Sequence, residues 1–246
     1  MISVCIATYN GEKYIKEELE SILPQLADDD EVIISDDGSK DQTISIIEGL
    51  NDNRIKIFTH QKLPAKFRFD YTTHNFENAL MHSKGDVIFF ADQDDVWLPN
   101  KCKVMLEALE TADIAVSNCS VVDENLNEQK LLFDGNEKRT CRIFPNLVNP
   151  NNTGCCMAFK RIVLKTVLPF PKYGVAQDVW VAVFGGLYHK LRYVDTPLIL
   201  FRRHSDNVSA SAGKSKDSLI YKLGYRWNTL CALIKRAGLF KVLINL

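Results

Sequence analysis

The first half of the chain alternates short runs of apolar residues with segments in which apolar residues recur at helical spacing. Continuous apolar runs are typical of strands buried on both faces, and the spaced pattern is typical of helices that cover such strands. The predicted strands cover residues 2–7, 31–35, 54–59, 87–91 and 114–117. The predicted helices cover residues 12–26, 41–50, about 75–83 and 99–109. This alternation predicts an α/β fold with a mostly parallel central sheet and helices on both of its faces.

The second half of the chain is less regular. Residues 123–152 are polar and rich in turn-forming residues, and a segment of this length predicts a binding loop or a short hairpin. Residues 203–218 are again polar and rich in serine. The other predicted elements are strands at 154–159, 191–194 and 198–201 and helices at 178–188 and 219–246. We expect one large domain over residues 1–210, followed by a helical segment over residues 211–246.

The composition is that of an ordinary globular protein. The 246 residues are 46% hydrophobic and 25% charged, with a formal net charge of −1, so we expect no nucleic-acid partner. No apolar stretch reaches the roughly 18 residues of a membrane span, and the first strand begins without a basic leader, so we expect a cytoplasmic protein. The seven cysteines form no Cys-x-x-Cys pair, which indicates reduced thiols packed in the core.

Carboxylates directly follow two of the predicted strands. Asp92, Asp94 and Asp95 come after one strand, and Asp36 and Asp37 come after another. The carboxyl ends of parallel strands meet at one edge of an open α/β sheet, where ligands bind. Carboxylates gathered there can hold a hard cation and, through it, phosphate oxygens. The sequence therefore indicates a metal-assisted enzyme that acts on a nucleotide or another phosphate compound.

Several short segments, none of them specific alone, together carry a resemblance to a known family. They are Ile6-Ala7-Thr8-Tyr9-Asn10-Gly11, Asp36-Asp37-Gly38-Ser39-Lys40-Asp41, Asp92-Gln93-Asp94-Asp95, Asn152-Thr153-Gly154, Gln177-Asp178-Val179-Trp180 and Arg202-Arg203-His204-Ser205-Asp206-Asn207-Val208-Ser209. In this order, residues 2–207 resemble the family 2 glycosyltransferases, which have the GT-A fold. The last segment resembles bacterial rhamnosyltransferase-like members in particular.

The resemblance implies that the first half of the chain binds a nucleotide-sugar donor. Ala7, Thr8 and Tyr9 would contact the nucleotide, with the Tyr9 ring against the base. Asp37 would accept the imide N–H of uracil or thymine, because a carboxylate suits a donor and rejects a base with an acceptor there. The alternative for both segments is ordinary turn and capping chemistry. The expected donor is a UDP- or dTDP-sugar.

The acidic run is implied to hold the metal. Asp94 is the first candidate for a direct ligand to Mg²⁺ or Mn²⁺, and Asp92 would act in support or contact the donor. The alternative is an acidic turn that only caps the following helix.

The closing segment supplies three basic residues. His204 is implied as a ligand of the metal or a contact of the diphosphate, and Arg202 or Arg203 as a phosphate contact, with Arg203 as the chosen candidate. The remaining histidines, among them His60, are interpreted as structural.

Asp178 is implied as the general base that removes a proton from the acceptor hydroxyl in an inverting displacement. It opens a predicted helix, where the dipole favours the ionised carboxylate, although a simple N-cap is the alternative. Asn152, Gln177 and Trp180 are implied on the acceptor side, and Trp180 is also expected to pack beside the site, as is Trp97. Many relatives have Glu-Asp at the base position, and Gln177 cannot serve as a second base.

The C-terminal segment is basic and amphipathic. Residues 214–246 contain seven basic residues and one acidic residue, and their apolar residues recur at helical spacing. One interpretation is peripheral contact with the inner face of the cell membrane, and the other is packing against this domain or another subunit.

The sequence thus favours an inverting, metal-dependent glycosyltransferase that moves a sugar, with dTDP-rhamnose as the specific hypothesis, to a polysaccharide or a lipid-linked saccharide. One alternative is a non-catalytic module that binds nucleotide sugars. Another is a haloacid dehalogenase-type phosphatase, because an Asp-x-Asp motif also carries the nucleophile of that class.

Overall fold

The computed structural model describes residues 1–135, 139–148, 152–205, 207 and 217–245. Within these residues, the predicted α/β class is confirmed. The strands are β1 Ile2–Thr8, β2 Glu31–Asp36, β3 Ile55–Thr59, β4 Val87–Asp92, β5 Val96–Trp97, β6 Ile114–Val122, β7 Glu128–Leu131, β8 Met157–Lys160 and β9 Leu191–Arg202. The α-helices are α1 Ile15–Ile22, α2 Thr43–Gly49, α3 Arg68–His82, α4 Lys101–Glu110, α5 Ile143–Val148, α6 Leu164–Val167, α7 Gln177–Trp180, α8 Leu219–Ala237 and α9 Leu239–Leu243.

One sheet contains all of these strands, in the order β3-β2-β1-β4-β8-β6-β9-β5, with β7 paired to β6. The neighbours β3, β2, β1 and β4 are parallel, so their carboxyl ends lie at one edge. Beyond β4 the sheet is mixed, because β8 is antiparallel to both β4 and β6 whereas β6 and β9 are parallel. The parallel character is therefore concentrated in the first half of the chain.

The core forms around the central parallel strands. Val4, Ile6, Ile33, Phe89 and Phe90 are fully buried. Burying a side chain of this size contributes about 1.5–3 kcal/mol relative to leaving it in water. Five of the seven cysteines are also buried, as predicted, and all seven are free thiols.

Helix α3 begins at Arg68 rather than near residue 75, so the predicted start was too late. The Asp70 side chain explains the difference. Its Oδ2 accepts hydrogen bonds from the backbone N–H groups of Lys66 and Phe67, both at 2.9 Å, and so satisfies donors at the beginning of the helix.

The second half agrees with the sequence pattern in part. The polar region after β6 contains the short hairpin to β7, one of the two predicted forms. The two short strands predicted at 191–194 and 198–201 are one strand, β9, with register shifts in its pairing to β6. Helix α7 continues as a π-helix over Val181–Gly185, a geometry common at functional sites.

The C-terminal helix α8 packs against the loops that precede α7. Thr229 Oγ1 donates to the carbonyl of Gly174 at 2.9 Å, and the Arg236 guanidinium donates to the carbonyls of residues 166–169. Among the described helices, none is both long and apolar enough to cross a membrane. The predicted turn at 149–151, residues 206 and 208–209 of the closing segment, the basic residues Lys214 and Lys216, and the boundary at residue 210 lie outside the described residues.

Candidate active site

The nucleotide-side residues lie at the carboxyl edge of the parallel strands. In the sheet register, Ala7 pairs with Asp92 and Thr8 pairs with Asp36. The chain then leaves both β1 and β2, and the backbone N–H of Asp37 donates to the Thr8 carbonyl at 3.0 Å. The edge therefore brings together the donor-side residues that the sequence predicted.

Gln93 fixes the backbone of Tyr9. Its Oε1 accepts from the Tyr9 N–H at 3.0 Å, and its Nε2 donates to the Tyr9 carbonyl at 3.2 Å. A Cβ added to Gly11 would lie 2.5 Å from Gln93 Oε1, so a glycine at this position leaves room for the Gln93 side chain and its two hydrogen bonds. The Tyr9 ring is half exposed, and Lys62 Nζ lies 3.1 Å from its centroid. The Lys62 ammonium therefore covers one face of a ring that is otherwise partly open to solvent.

The two carboxylates at the end of β2 have different partners. Asp36 Oδ2 accepts from the backbone N–H groups of Gly38 and Ser39, both at 2.9 Å, so this side chain builds the turn. Asp37 Oδ1 lies 2.6 Å from Nδ1 of His60. Burial raises the pKa of Asp37, while His60 and Lys62 favour the ionised form. Of the two carboxylates, Asp37 is the one left to meet a ligand.

The acidic run after β4 gathers charge in a small space. Burial, followed by the carboxylates of Asp94 and Asp178, raises the pKa of Asp92 to about 8. Burial, followed by the carboxylates of Asp94 and Asp92, raises the pKa of Asp95 well above its usual range. Asp178 lies close to this run: Cys155 has a ligand atom within 4.8 Å of one on Asp92, and a Cβ added to Gly154 would lie 3.6 Å from the Asp178 Cβ. The residues predicted as base and donor contact are therefore both next to the segment Gly154–Cys156.

Asp94 is held by the closing segment. His204 Nε2 lies 2.8 Å from Asp94 Oδ2, and Asn207 Nδ2 donates to the same oxygen at 3.0 Å. The His204 ring also packs on Tyr14, with 4.9 Å between ring centroids. The structure therefore brings together Asp94 and His204, the two residues predicted to act at the metal.

The two arginines of the closing segment have different environments. The buried Arg202 donates from its guanidinium to the carbonyls of Asp94 and Glu124 and to the carboxylate of Glu17. Its role is structural, since these bonds occupy the head group within the protein. Burial lowers the pKa of Arg203, while the Asp94 and Asp95 carboxylates favour its charged form. Of the two predicted phosphate contacts, Arg203 is the one whose charge faces the acidic run.

The donor set fits a hard divalent cation in part. Asp92, Asp95 and Cys155 each have a ligand atom within 4.8 Å of the others. Carboxylate oxygens suit Mg²⁺ or Mn²⁺, whereas a thiol with a pKa raised by hydrogen bonding and burial is a poor ligand for them. Asp95 Oδ1 accepts from the Arg202 N–H at 3.0 Å, and its buried Oδ2 has no partner among the described residues. The carboxylate oxygens of Asp92 and Asp95 therefore fit such an ion, whereas Asp94, the predicted direct ligand, has its Oδ2 bonded to His204 and Asn207.

A buried lysine lies beneath the acidic run. Lys101 Nζ donates to the Cys155 carbonyl at 2.8 Å and lies 3.7 Å from the ring centroid of Trp97. Burial lowers the pKa of Lys101, and burial raises the pKa of the neighbouring Glu18 well above its usual range. The sequence pattern had assigned no role to this pair, because it comes from two helices that meet only in the fold.

Asp178 lies in helix α7, next to Gly154, where an added Cβ would be 3.6 Å from the Asp178 Cβ. Burial raises the pKa of Asp178 to about 6, and hydrogen bonds from the backbone N–H groups of Val179 and Gly154 oppose that shift. The Val179 N–H donates to Oδ1 at 2.7 Å. A carboxylate with this pKa is ionised at neutral pH and still basic enough to take a proton.

The three predicted acceptor-side residues are largely buried. Gln177 Oε1 accepts from Thr73 Oγ1 at 3.1 Å. Asn152 donates to Asn146 at 2.7 Å and accepts from the Tyr193 hydroxyl at 3.0 Å. These bonds favour a supporting role for both amides.

Trp180 is 0% exposed, and its Nε1 donates to the Val167 carbonyl at 3.0 Å. Its expected contact with an acceptor is corrected by this burial, since no part of the ring reaches the surface. The packing role that the sequence also predicted is the one the structure has, and Trp97 is likewise buried.

Sequence reasoning did not predict the contact of His60 with Asp37 and left Asn207 without a role. His60 follows β3 as Asp37 follows β2, and this neighbour relation depends on the pairing of those strands. Asn207 stood inside the closing segment, and its spacing of three from His204 was the available signal.

The fold is that of GT-A glycosyltransferases. A crystal structure of glucosyl-3-phosphoglycerate synthase from Mycobacterium tuberculosis, in complex with Mg²⁺ and UDP, matches with a TM-score of 0.59 and 19% identity, over 97% of this chain and 79% of that one. This likeness shows the fold.

A sequence profile of glycosyl transferase family 2 matches residues 3–168, more than half of the chain, so the protein belongs to that family of glycosyltransferases. The dTDP-rhamnosyl transferase RfbG of Shigella flexneri is 29% identical over 90% of this chain and 81% of its own length. An Escherichia coli protein, UDP-Glc:alpha-D-GlcNAc-diphosphoundecaprenol beta-1,3-glucosyltransferase WfgD, is 26% identical over 54% of each chain.

Proposed function

We propose that the protein transfers one sugar from a UDP- or dTDP-sugar to a hydroxyl group, with inversion at the anomeric carbon and with a divalent cation. The observation that carries the proposal is the shared site of Asp92 and Asp178. These carboxylates come from distant parts of the sequence, and both lie beside the short segment Gly154–Cys156. Cys155 has a ligand atom within 4.8 Å of one on Asp92, and a Cβ added to Gly154 would lie 3.6 Å from the Asp178 Cβ.

The donor nucleotide would bind across the ends of β1 and β2. Tyr9 offers its half-exposed ring to the base, and Asp37 offers a carboxylate oxygen to an imide N–H. Ala7 and Thr8 would supply backbone contacts, and Arg203 would meet a phosphate. The name of RfbG supports dTDP-rhamnose as one donor, and the UDP complex of the M. tuberculosis enzyme supports a uridine nucleotide.

Asp92 and Asp94 would hold the cation together with the donor diphosphate, and His204 and Asn207 would orient Asp94. When bound, a divalent cation neutralises the charge that develops on the leaving diphosphate. The Mg²⁺ bound by the M. tuberculosis enzyme supports this assignment.

Asp178 would act as the general base. An acceptor hydroxyl that attacks the anomeric carbon opposite the diphosphate must lose its proton, and Asp178, which lies beside Gly154, would accept it. Gln177, held by Thr73, would fix the start of α7 and so the direction of Asp178. A polysaccharide or lipid-linked saccharide acceptor is supported by the diphosphoundecaprenol in the name of WfgD.

The C-terminal helices would bring the enzyme to the inner face of an anionic membrane. Between residues 218 and 245 there are five basic residues and no acidic residue. The exposed large apolar side chains of this region are Leu219, Ile220, Leu223, Trp227, Leu239, Phe240, Leu243 and Ile244. An apolar stripe beside basic residues is the pattern of a helix that lies in a lipid interface.

Vesicle sedimentation tests the membrane contact. We expect binding to vesicles that contain phosphatidylglycerol and much weaker binding to pure phosphatidylcholine. Replacing Leu223, Trp227 and Phe240 together by Gln should abolish binding, whereas Met81→Gln, an exposed apolar residue elsewhere, should not. Equal binding by the triple variant would contradict the proposal.

A donor panel tests the activity. Purified protein with Mn²⁺ and a saccharide acceptor should release UDP or dTDP from one class of donor, and NMR of the product should give the anomeric configuration opposite to that of the donor. Retention of configuration contradicts the single displacement. Tight nucleotide binding without turnover on any acceptor would favour the binding-module alternative.

A further inference from the structure

We infer that His60 is a positioning residue that makes Asp37 select nucleotides whose base carries an imide N–H, namely uracil and thymine, over cytosine. This inference rests on the proposed function, because it concerns the base contact of the same donor site. Its basis is the geometry at the ends of β2 and β3.

The strand pairing brings the two side chains together. Asp36 pairs with Thr59 at the last step of the parallel ladder, so Asp37 and His60 are the next residues on each strand. The His60 N–H donates to the Asp36 carbonyl at 2.7 Å, which extends the ladder by one bond. The backbone thus holds both residues at a fixed separation.

The contact between the side chains is short and sheltered. His60 Nδ1 lies 2.6 Å from Asp37 Oδ1, and the two side chains are 12% and 4% exposed. Among the described residues, Oδ2 of Asp37 has no hydrogen-bond partner, and it is not among the fully buried polar atoms that lack one. One oxygen is therefore occupied by His60, and the other is available to a base.

This arrangement fixes the hydrogen-bonding character of Oδ2. If Asp37 is ionised, His60 donates to Oδ1 and Oδ2 accepts. If Asp37 is protonated, the proton is shared with His60 at Oδ1 and Oδ2 again accepts. Uracil and thymine present a donor N–H at N3, whereas cytosine presents an acceptor there. With His60 in position, Oδ2 therefore pairs with the first two bases and opposes the third.

Without His60 the carboxyl loses that constraint. Burial already raises the pKa of Asp37, and loss of the favourable hydrogen bond raises it further. A proton could then occupy Oδ2 and donate to cytosine N3. The other charges that face this pair are Lys62, Asp36 and, on the side of His60, Glu77. Their arrangement is unchanged by a substitution at His60.

The test measures dissociation constants of UDP, dTDP and CDP by calorimetry, with Mn²⁺, between pH 5.5 and 8.5. For the unmodified protein we expect UDP and dTDP to bind more tightly than CDP across the range. In His60→Ala the ratio of the CDP dissociation constant to the UDP dissociation constant should fall by about tenfold or more, because Oδ2 of Asp37 can then either accept or donate a hydrogen bond. The fall should deepen as the pH decreases.

Two further variants separate selectivity from folding. His60→Asn places an amide at the same oxygen, and it should restore most of the selectivity. His82→Asn is the matched control, because His82 stacks on Phe58 of the same strand β3 but does not contact Asp37. If His60→Ala fails to fold, His60→Leu keeps the volume without a polar atom and gives the same readout.

An unchanged, pH-independent ratio in a folded His60→Ala or His60→Leu protein overturns the inference while leaving the proposed function intact. If the unmodified protein prefers CDP or binds none of the three nucleotides, the proposed donor class fails, and the inference fails with it.

Discussion

The two sides of the candidate site are built by different means. On the donor side, Tyr9, Asp37 and Asp92 each lie at or one step beyond the end of a parallel strand, so the sheet register alone brings them together. On the base side, Asp178 lies on a short helix whose position depends on distant side chains. The comparison teaches that regular backbone pairing fixes the donor residues, whereas tertiary packing fixes the base.

The packing around α7 comes from two helices. Asp70 of α3 accepts from the Gly174 N–H at 2.7 Å, and Thr229 of α8 donates to the Gly174 carbonyl. Arg236 of α8 donates to carbonyls between residues 166 and 169, and Trp180 is anchored on Val167. Helix α8 therefore supports the base side even if its outer face also meets a membrane.

The largest expected effect is a loss of turnover without a loss of nucleotide binding when the proposed base is replaced. Asp178→Asn should lower kcat by about 10²- to 10⁴-fold, the usual contribution of a general base, and leave nucleotide affinity unchanged. Single-turnover kinetics and calorimetry with UDP or dTDP measure the two quantities. Full activity in this variant would contradict the assignment of the base.

A substitution on the donor side should weaken nucleotide binding and leave kcat nearly unchanged. Tyr9→Ala removes the ring proposed to stack on the base. Such stacking contributes about 1–3 kcal/mol, so its loss should raise the nucleotide dissociation constant by about 5- to 150-fold. The effect on kcat with saturating donor should be small. Tyr188→Ala, a half-exposed tyrosine beyond the π-helix, is the control and should leave affinity unchanged.

Within the regular half, a glycine packed against the sheet should be less tolerant of an added Cβ than a glycine at a helix end. A Cβ at Gly85 would lie 2.5 Å from the backbone nitrogen of Ser3 in β1, so Gly85→Ala should reduce the free energy of unfolding by about 1–3 kcal/mol. Gly49→Ala, at the end of α2 with open space around it, should change stability by less than about 1 kcal/mol. Denaturant unfolding compares the two, and equal stabilities would contradict the packing.

The smallest effect is the pH dependence of the base. The pKa of Asp178 is raised to about 6, so kcat/KM should fall as the pH decreases below that value, by about tenfold for each further unit, because the protonated carboxyl cannot accept a proton. Asp178→Glu should shift this acidic limb and so identify the group. A profile that is flat down to pH 5 would contradict the assignment.

The sequence predicted most of the donor side and less of the base side for a physical reason. Buried parallel strands are visible in the sequence as apolar runs, so the residues that follow them could be identified as candidates for the donor site. Strand order and register are long-range properties, which is why the neighbour relation between Asp37 and His60 was missed. The start of α3 was missed because it depends on the Asp70 side chain.

The most direct test of the division between the two sides is a thermal-shift measurement with UDP and dTDP, with and without Mn²⁺, on the unmodified protein, Asp94→Asn and Asp178→Asn. A ligand at about 100 times its dissociation constant stabilises the native state by about 2.7 kcal/mol. We expect a Mn²⁺-dependent increase in Tm for the unmodified protein and for Asp178→Asn, and its loss in Asp94→Asn. A Mn²⁺-dependent shift that survives in Asp94→Asn, or the absence of any shift in the unmodified protein, would contradict the account.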